Sequence, residues 1–210
     1  MVKILEGVYG IDHSADKNHS LESWILDCEK TILIDGGMTG EHVKGIGREL
    51  ESIGKGWKDV DLILVTHKHP DHINNLPELV ELTGAPIKAQ KFEAPLIEVA
   101  QGVKVEGLED HEVLPYCGGI EVIHVPGHSE GNSCFYLRNQ KLIIAGDTIR
   151  ADVPGVITPP PERYCLDVEE ATREIRRLLD YDFDHLIYSH GVDTMEGAKK
   201  KVRELVKKTS

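Results

Sequence analysis

Three imidazoles and a carboxylate fall within His67-Lys68-His69-Pro70-Asp71-His72, directly after the apolar run Leu62 to Val65. Imidazole nitrogen and carboxylate oxygen together suit zinc, iron or manganese. No Cys lies nearby, which argues against a closed structural zinc site of the finger type and for open, catalytic coordination. The apolar run is short and rich in branched residues, the signature of a buried strand. Pro70 is expected to stop the following four positions from continuing as regular structure, which puts the donors on a loop at a strand's end.

Three further donors each follow an apolar stretch. His128 comes after Ile120 to Val125 in the turn Pro126-Gly127-His128-Ser129-Glu130-Gly131, Asp147 after Lys141 to Gly146, and His190 after His185 to Ser189. The glycines allow a tight backbone path that aims the His128 imidazole inward. The ordered set HxHxDH, GHS, AGDT and SHG, preceded by Ile32-Leu33-Ile34-Asp35-Gly36-Gly37, resembles the metallo-β-lactamase superfamily from Asp35 to His190.

That resemblance implies an α/β fold, an αββα sandwich of two mixed β-sheets flanked by helices, in a single domain over residues 1–210. It assigns His67, His69 and His128 to one divalent ion and Asp71, His72 and His190 to a second, with Asp147 bridging them. It also implies that Asp35 supports the ligand loop rather than binding metal. Two departures stand out: Asn74 and Asn75 occupy positions that are often glycine in relatives, and Glu130 stands where many carry proline. Asn tolerates left-handed backbone, so the turn is expected to be kept. Glu130 alters the rim and removes no donor.

The implied chemistry is hydrolysis. Two adjacent ions, zinc in the first place with iron or manganese as alternatives, make a bridging hydroxide available near neutral pH, so no protein base is required. One ion also polarises the substrate's carbonyl or phosphoryl oxygen. Asp71 and Asp147 are the candidate catalytic carboxylates, Asp71 because it can also relay a proton to the leaving group. Cleavage of an ester, thioester or lactone of a small substrate leads. The alternatives are a phosphodiester hydrolase and a mononuclear iron enzyme like the persulfide dioxygenases, which retain a similar HxHxDH stretch. The scaffold resembles the glyoxalase II-like branch. The sequence stops soon after His190, however, so the C-terminal domain that holds glutathione in true glyoxalase II is expected to be missing. Lactonases of the family carry a tyrosine shortly after the bridging Asp, where this chain has Thr148, Ile149 and Arg150.

Charge narrows the partners. With 24 basic and 36 acidic residues the net charge is −12, opposite in sign to a nucleic-acid footprint. The short spacings between His128, Asp147 and His190 also leave no room for an inserted domain. Lys199 to Lys201 and Lys207-Lys208 fall on an expected terminal helix, where cations favour the helix dipole. No apolar stretch approaches the roughly 20 residues that span a bilayer, and no leader is evident, so a soluble, cytoplasmic protein is expected. Cys28, Cys117, Cys134 and Cys165 form no CxxC pair and are expected to be reduced thiols.

The elements that must position these donors begin with an antiparallel meander of strands over Lys3 to Val8, Ser23 to Asp27 and Thr31 to Ile34. Helices are expected over Glu41 to Ile53, His72 to Leu82, Val168 to Leu179 and Met195 to Val206. Further strands are expected at Ile87 to Ala89, Ile120 to Val125, Cys134 to Leu137, Leu142 to Ala145 and Leu186 to Tyr188. Two irregular stretches, Ile11 to Ser20 and Ile149 to Tyr164, flank the donors, the second stiffened by Pro159-Pro160-Pro161. They carry the candidate substrate contacts His13, His19, Arg150 and Arg163, the arginines because guanidinium pairs with carboxylate or phosphate. His42, His111, His124 and His185 are read as structural or solvent-exposed, and Cys134 and Cys165 as small hydrophobes.

Overall fold

A computed structural model describes residues 2–14 and 21–209, which leaves His19 outside the described residues. The chain divides into two compact units, residues 1–108 and 109–210.

In the first unit, β1 (Val2–Leu5), β2 (Val8–Asp12), β3 (Glu22–Asp27), β4 (Thr31–Ile34), β5 (Val60–Val65), β6 (Ile87–Gln90) and β7 (Val105–Leu108) form one sheet in chain order. The first four pair antiparallel, and from β4 onward the strands run parallel. Parallel neighbours need long crossovers. These contain α1 (Gly40–Ser52), α2 (Pro70–Ile73) with α3 (Leu76–Thr83), and α4 (Ala94–Gln101). Val43, Ile46 and Leu50 of α1 recur at helical spacing and share a core with Leu33, Ile63 and Val65 of the sheet. Ile32, Ile34, Leu62 and Leu64, on the opposite strand face, are buried as well. Burial on both faces is why β4 and β5 read as continuous apolar runs.

Several expectations need correction here. The meander has one more strand, because Val8 and Ile11 bury in β2, so regular structure extends to Asp12 where an irregular stretch from Ile11 was expected. Regular structure resumes at Pro70 rather than stopping there. Proline is the first residue of α2, where its preset φ suits the helix and its missing N–H leaves no bond unmade. The expected helix from His72 is two helices, broken at Asn74-Asn75. These asparagines have φ of −59° and −94°, not left-handed values. What suits Asn75 is its side chain, whose Nδ2 donates to the carbonyls of Gly36 and Thr39 at 2.9 Å each. Cys28 is disulfide-bonded rather than reduced.

In the second unit, β8 (Val113–Leu114), β9 (Ile120–His124), β10 (Ser133–Leu137) and β11 (Leu142–Ile144) are successive antiparallel neighbours. β12 (Arg150–Val153) and β13 (Val156–Thr158) form a hairpin of their own, and β14 (His185–Ile187) returns to pair parallel with β11. Helices α5 (Val168–Glu174), continued by a 3-10 segment over Ile175–Asp180, and α6 (Ala198–Thr209) cover this sheet. Ile175, Leu178, Val202 and Leu205 from the helical layer share a core with Ile123, Ile143 and Ala145. The stretch from Ile149 to Tyr164 is therefore largely ordered structure, ending in a 3-10 turn at Glu162–Tyr164. Cys117 is disulfide-bonded, so among the described residues reduced thiols are found at Cys134 and Cys165. Separation along a chain does not keep a cysteine reduced, because it places no limit on bonding in the fold. Among the described residues no helix is long and apolar enough to cross a membrane.

Candidate metal centre

The ligand loop of the first unit leaves β5 at Val65 and is gripped at once by Asp35, which directly follows the neighbouring strand β4. The Asp35 carboxylate accepts from the Thr66 backbone N–H at 2.8 Å, from the Thr66 hydroxyl at 2.7 Å and from His72 Nδ1 at 2.8 Å. Asp35 has φ of 59°, a left-handed value that Asp adopts more readily than most residues. Asp35, Thr66, His67 and His72 are all buried. A second buried carboxylate, Glu93, accepts from the Lys68 backbone N–H at 2.6 Å. Glu93 escaped the sequence reading because nothing local distinguishes it from an exposed loop acid.

These contacts decide which nitrogens are available. An ionised carboxylate only accepts, so His72 carries its proton on Nδ1 and a lone pair on Nε2. The Thr66 hydroxyl spends its proton on Asp35, so it accepts from His67 Nδ1 at 3.0 Å and leaves His67 Nε2 as a lone pair too. That Nε2 lies 3.0 Å from His69 Nδ1. A tetrahedral ion with nitrogen ligands at about 2.0–2.1 Å holds them about 3.3 Å apart, so the spacing fits a shared cation. Asp71 Oδ2 lies 3.7 Å from His72 Nε2.

In the second unit, parallel pairing of β11 with β14 sets the strand ends that precede Asp147 and His190 side by side. Asp147 Oδ2 lies 3.3 Å from His190 Nε2 and 3.7 Å from His128 Nε2. One carboxylate oxygen thus faces two imidazole nitrogens. The turn bearing His128 is held by Asn132, whose Nδ2 donates to the Val125 carbonyl at 2.9 Å and to Thr148 Oγ1 at 2.8 Å. His67, His69, Asp71 and His72 in the first unit, and His128, Asp147 and His190 in the second, are groups that could hold a metal ion.

The remaining candidates are placed as follows. Arg150 pairs with the Asp152 carboxylate at 3.0 Å, and the Arg163 guanidinium lies 4.8 Å from the Tyr164 ring centre. His13 stacks on His42 with ring centres 4.5 Å apart and has Nε2 2.9 Å from Ser23 Oγ. Burial, then the neighbouring His42, lowers the His13 pKa to about 3, which keeps it neutral at physiological pH.

Asp193, in the loop after β14, behaves oppositely: burial raises its pKa to about 6, although the Tyr188 N–H donates to it at 3.3 Å. Its ionisation therefore opposes folding. The stability this group contributes is fully present below the ordinary carboxylate pKa and is lost as pH rises through about 6. Asp193→Asn keeps an acceptor for Tyr188 and removes the charge. It is expected to stabilise the protein by about 1–2 kcal/mol at pH 8 and to leave it unchanged at pH 4. Thermal melts of both proteins at the two pH values test this, and identical shifts at both would contradict it.

Comparison with known proteins identifies the family. The model of the metallo-beta-lactamase superfamily matches residues 22–190. A probable metallo-hydrolase of Methanocaldococcus jannaschii is 31% identical over 159 residues, covering 63% of this chain and 69% of that protein. A hydroxyacylglutathione hydrolase of Ectopseudomonas mendocina is 28% identical over 138 residues, or 62% of this chain. The match spans 51% of that relative's length. The solved structure of a metallo-beta-lactamase family protein from Thermus thermophilus superposes with a TM-score of 0.77, at 19% identity, over 98% of this chain and 80% of that one. This likeness shows the fold, with two mixed sheets flanked by helices. Every proposed donor and Asp35 lie within the matched residues, and the chain belongs to the metallo-beta-lactamase superfamily.

Proposed function

We propose that the chain is a binuclear metal-dependent hydrolase, with zinc as its metal, that cleaves an ester, thioester or lactone bond in a small substrate. The observation that carries this reading is the single oxygen, Asp147 Oδ2, set 3.3 Å and 3.7 Å from the Nε2 atoms of His190 and His128. In the family pattern these two imidazoles serve different ions, so an oxygen facing both suits a bridge. On the family resemblance, His67, His69 and His128 would hold one ion and Asp71, His72 and His190 the other. Kinship to a hydroxyacylglutathione hydrolase supports thioesters within the substrate set. The net charge of −12 favours a small molecule over nucleic acid.

Bound divalent ions supply acidified water at neutral pH and Lewis-acid polarisation of the substrate's carbonyl oxygen. The chain's own residues do the rest. Asp35 fixes His72 directly and His67 through Thr66, so the lone pairs stand ready and need no reorganisation. The Asp71 side chain, 31% exposed, reaches solvent while lying beside His72, and on this reading it passes a proton to the leaving group.

Elemental analysis of protein purified without added metal tests the reading, alongside hydrolysis of thioester, lactone and aryl ester panels. Two zinc ions per chain with hydrolytic turnover are expected. One iron per chain, with oxygen consumed on a persulfide, would overturn it.

A further inference from the structure

The thiol of Cys165 is not absorbed by this scheme, yet it touches one of the donors. Its Sγ lies 3.7 Å from His128 Nδ1, on the ring edge away from Asp147. Two carbonyl oxygens also surround the sulfur, that of Pro161 at 3.4 Å and that of Pro160 at 3.9 Å. Carbonyls can only accept, so the single S–H proton goes to Pro161, and the sulfur lone pairs are left to receive the Nδ1 proton of His128. The placement is not accidental to a mobile loop. Cys165 follows the 3-10 turn that starts after Pro161, and the next two residues are tied to the His128 turn, Leu166 N–H to the His128 carbonyl at 3.2 Å and Asp167 N–H to the Gly127 carbonyl at 2.8 Å.

We propose that Cys165 is a positioning residue for His128: its sulfur accepts a hydrogen bond from the Nδ1 N–H and so reserves Nε2 for metal. The proline run gains a purpose on this account, since it fixes the carbonyls that orient the S–H. The thiol proton is itself engaged, since Sγ donates to the Pro161 carbonyl at 3.4 Å. A protonated thiol is a poor ligand and a poor nucleophile, which sets this role apart from direct chemistry. The proposal rests on His128 being a ligand, as in the function proposed above.

Cys165→Ala and Cys165→Ser provide the test. Serine can still accept from Nδ1 and donate to Pro161, whereas alanine can do neither. In metal-free protein, long-range proton–nitrogen NMR of the imidazoles is expected to show His128 protonated on Nδ1 in the wild type and in the Ser variant, and a tautomer mixture in the Ala variant. Chelator competition is expected to show metal affinity reduced about 10–100-fold in the Ala variant and restored to within a few-fold in the Ser variant. A wild-type His128 protonated on Nε2 would overturn the proposal, as would an Ala variant with unchanged tautomer and unchanged metal affinity. The wild-type spectrum decides the matter even if Cys165→Ala does not fold. It also needs no metal, so a failure of the two-metal reading remains distinguishable from a failure here.

Discussion

Asp35→Ala is expected to strip the ligand loop of its order and with it most of the bound metal. Three donors converge on this one buried carboxylate: the Thr66 N–H, the Thr66 hydroxyl and His72 Nδ1. Alanine leaves the backbone N–H and the imidazole N–H in a dry interior without that acceptor. Each stranded group costs about 1–3 kcal/mol, so a total loss of about 3–5 kcal/mol in stability follows. Alanine is also less tolerant of the left-handed backbone at this position. The functional loss exceeds the structural one, because the tautomers of His67 and His72 are released together. Metal affinity is expected to fall by about 100-fold, at the upper end for a residue that orients ligands. Chelator competition and chemical denaturation measure the two effects separately. A variant with native metal content and native stability would show that Asp35 does not organise the loop. Asp35→Asn is the informative intermediate, since asparagine accepts the left-handed backbone but offers one acceptor oxygen instead of two.

Gly127→Ala is expected to be as damaging to the second unit, for a steric reason. Gly127 has φ of 110°, and a Cβ built there would lie 2.1 Å from Ala171 N and 2.6 Å from Ala171 Cα, both backbone atoms of α5. No rotamer change relieves a clash with backbone. The turn must instead pull away from the helix, breaking the Asp167 N–H bond to the Gly127 carbonyl and moving His128, the next residue. The expected cost is about 4 kcal/mol or more, which for a domain of this size lowers the melting temperature by roughly 8–16 °C. Gly40→Ala is the matched control: a Cβ there meets nothing within 4 Å, and alanine is the better helix former. It is expected to melt at or slightly above the wild-type temperature. Melting within about 2 °C of wild type for Gly127→Ala would refute the close approach.

Legibility along the chain follows how strongly each segment is buried. β4, β5, β9, β10 and β11 are dense runs of branched and apolar residues, and they lie where the pattern predicts. β7 and β8 are weak by comparison. Val105-Glu106-Gly107-Leu108 exposes its two central residues, and β8 has two residues in all. Their order comes from pairing with a neighbour strand, which a single-segment pattern cannot register. The break between α2 and α3 was equally hidden, since it depends on carbonyls at Gly36 and Thr39 that Asn75 meets only after folding. The β12–β13 hairpin was missed because its outward side chains Val153 and Val156 are exposed, so no alternation marks it.

The identity and order of the donors are properties of the sequence itself. His67, His69, Asp71, His72, His128, Asp147 and His190 are the residue types that bind divalent metal; His67, His128, Asp147 and His190 come soon after buried apolar strands, and Asp71 and His72 fall in the short helix α2 that follows. Which ring nitrogen of His67 and His72 carries the proton was decided by tertiary structure alone. The lone pair on His72 Nε2 depends on Asp35, 37 residues away, and that on His67 Nε2 depends on the same carboxylate acting through Thr66. Glu93 reaches Lys68 across 25 residues, and Cys165 reaches His128 across 37. An imidazole has two nearly equivalent nitrogens in water, and only a partner fixed in space makes them different.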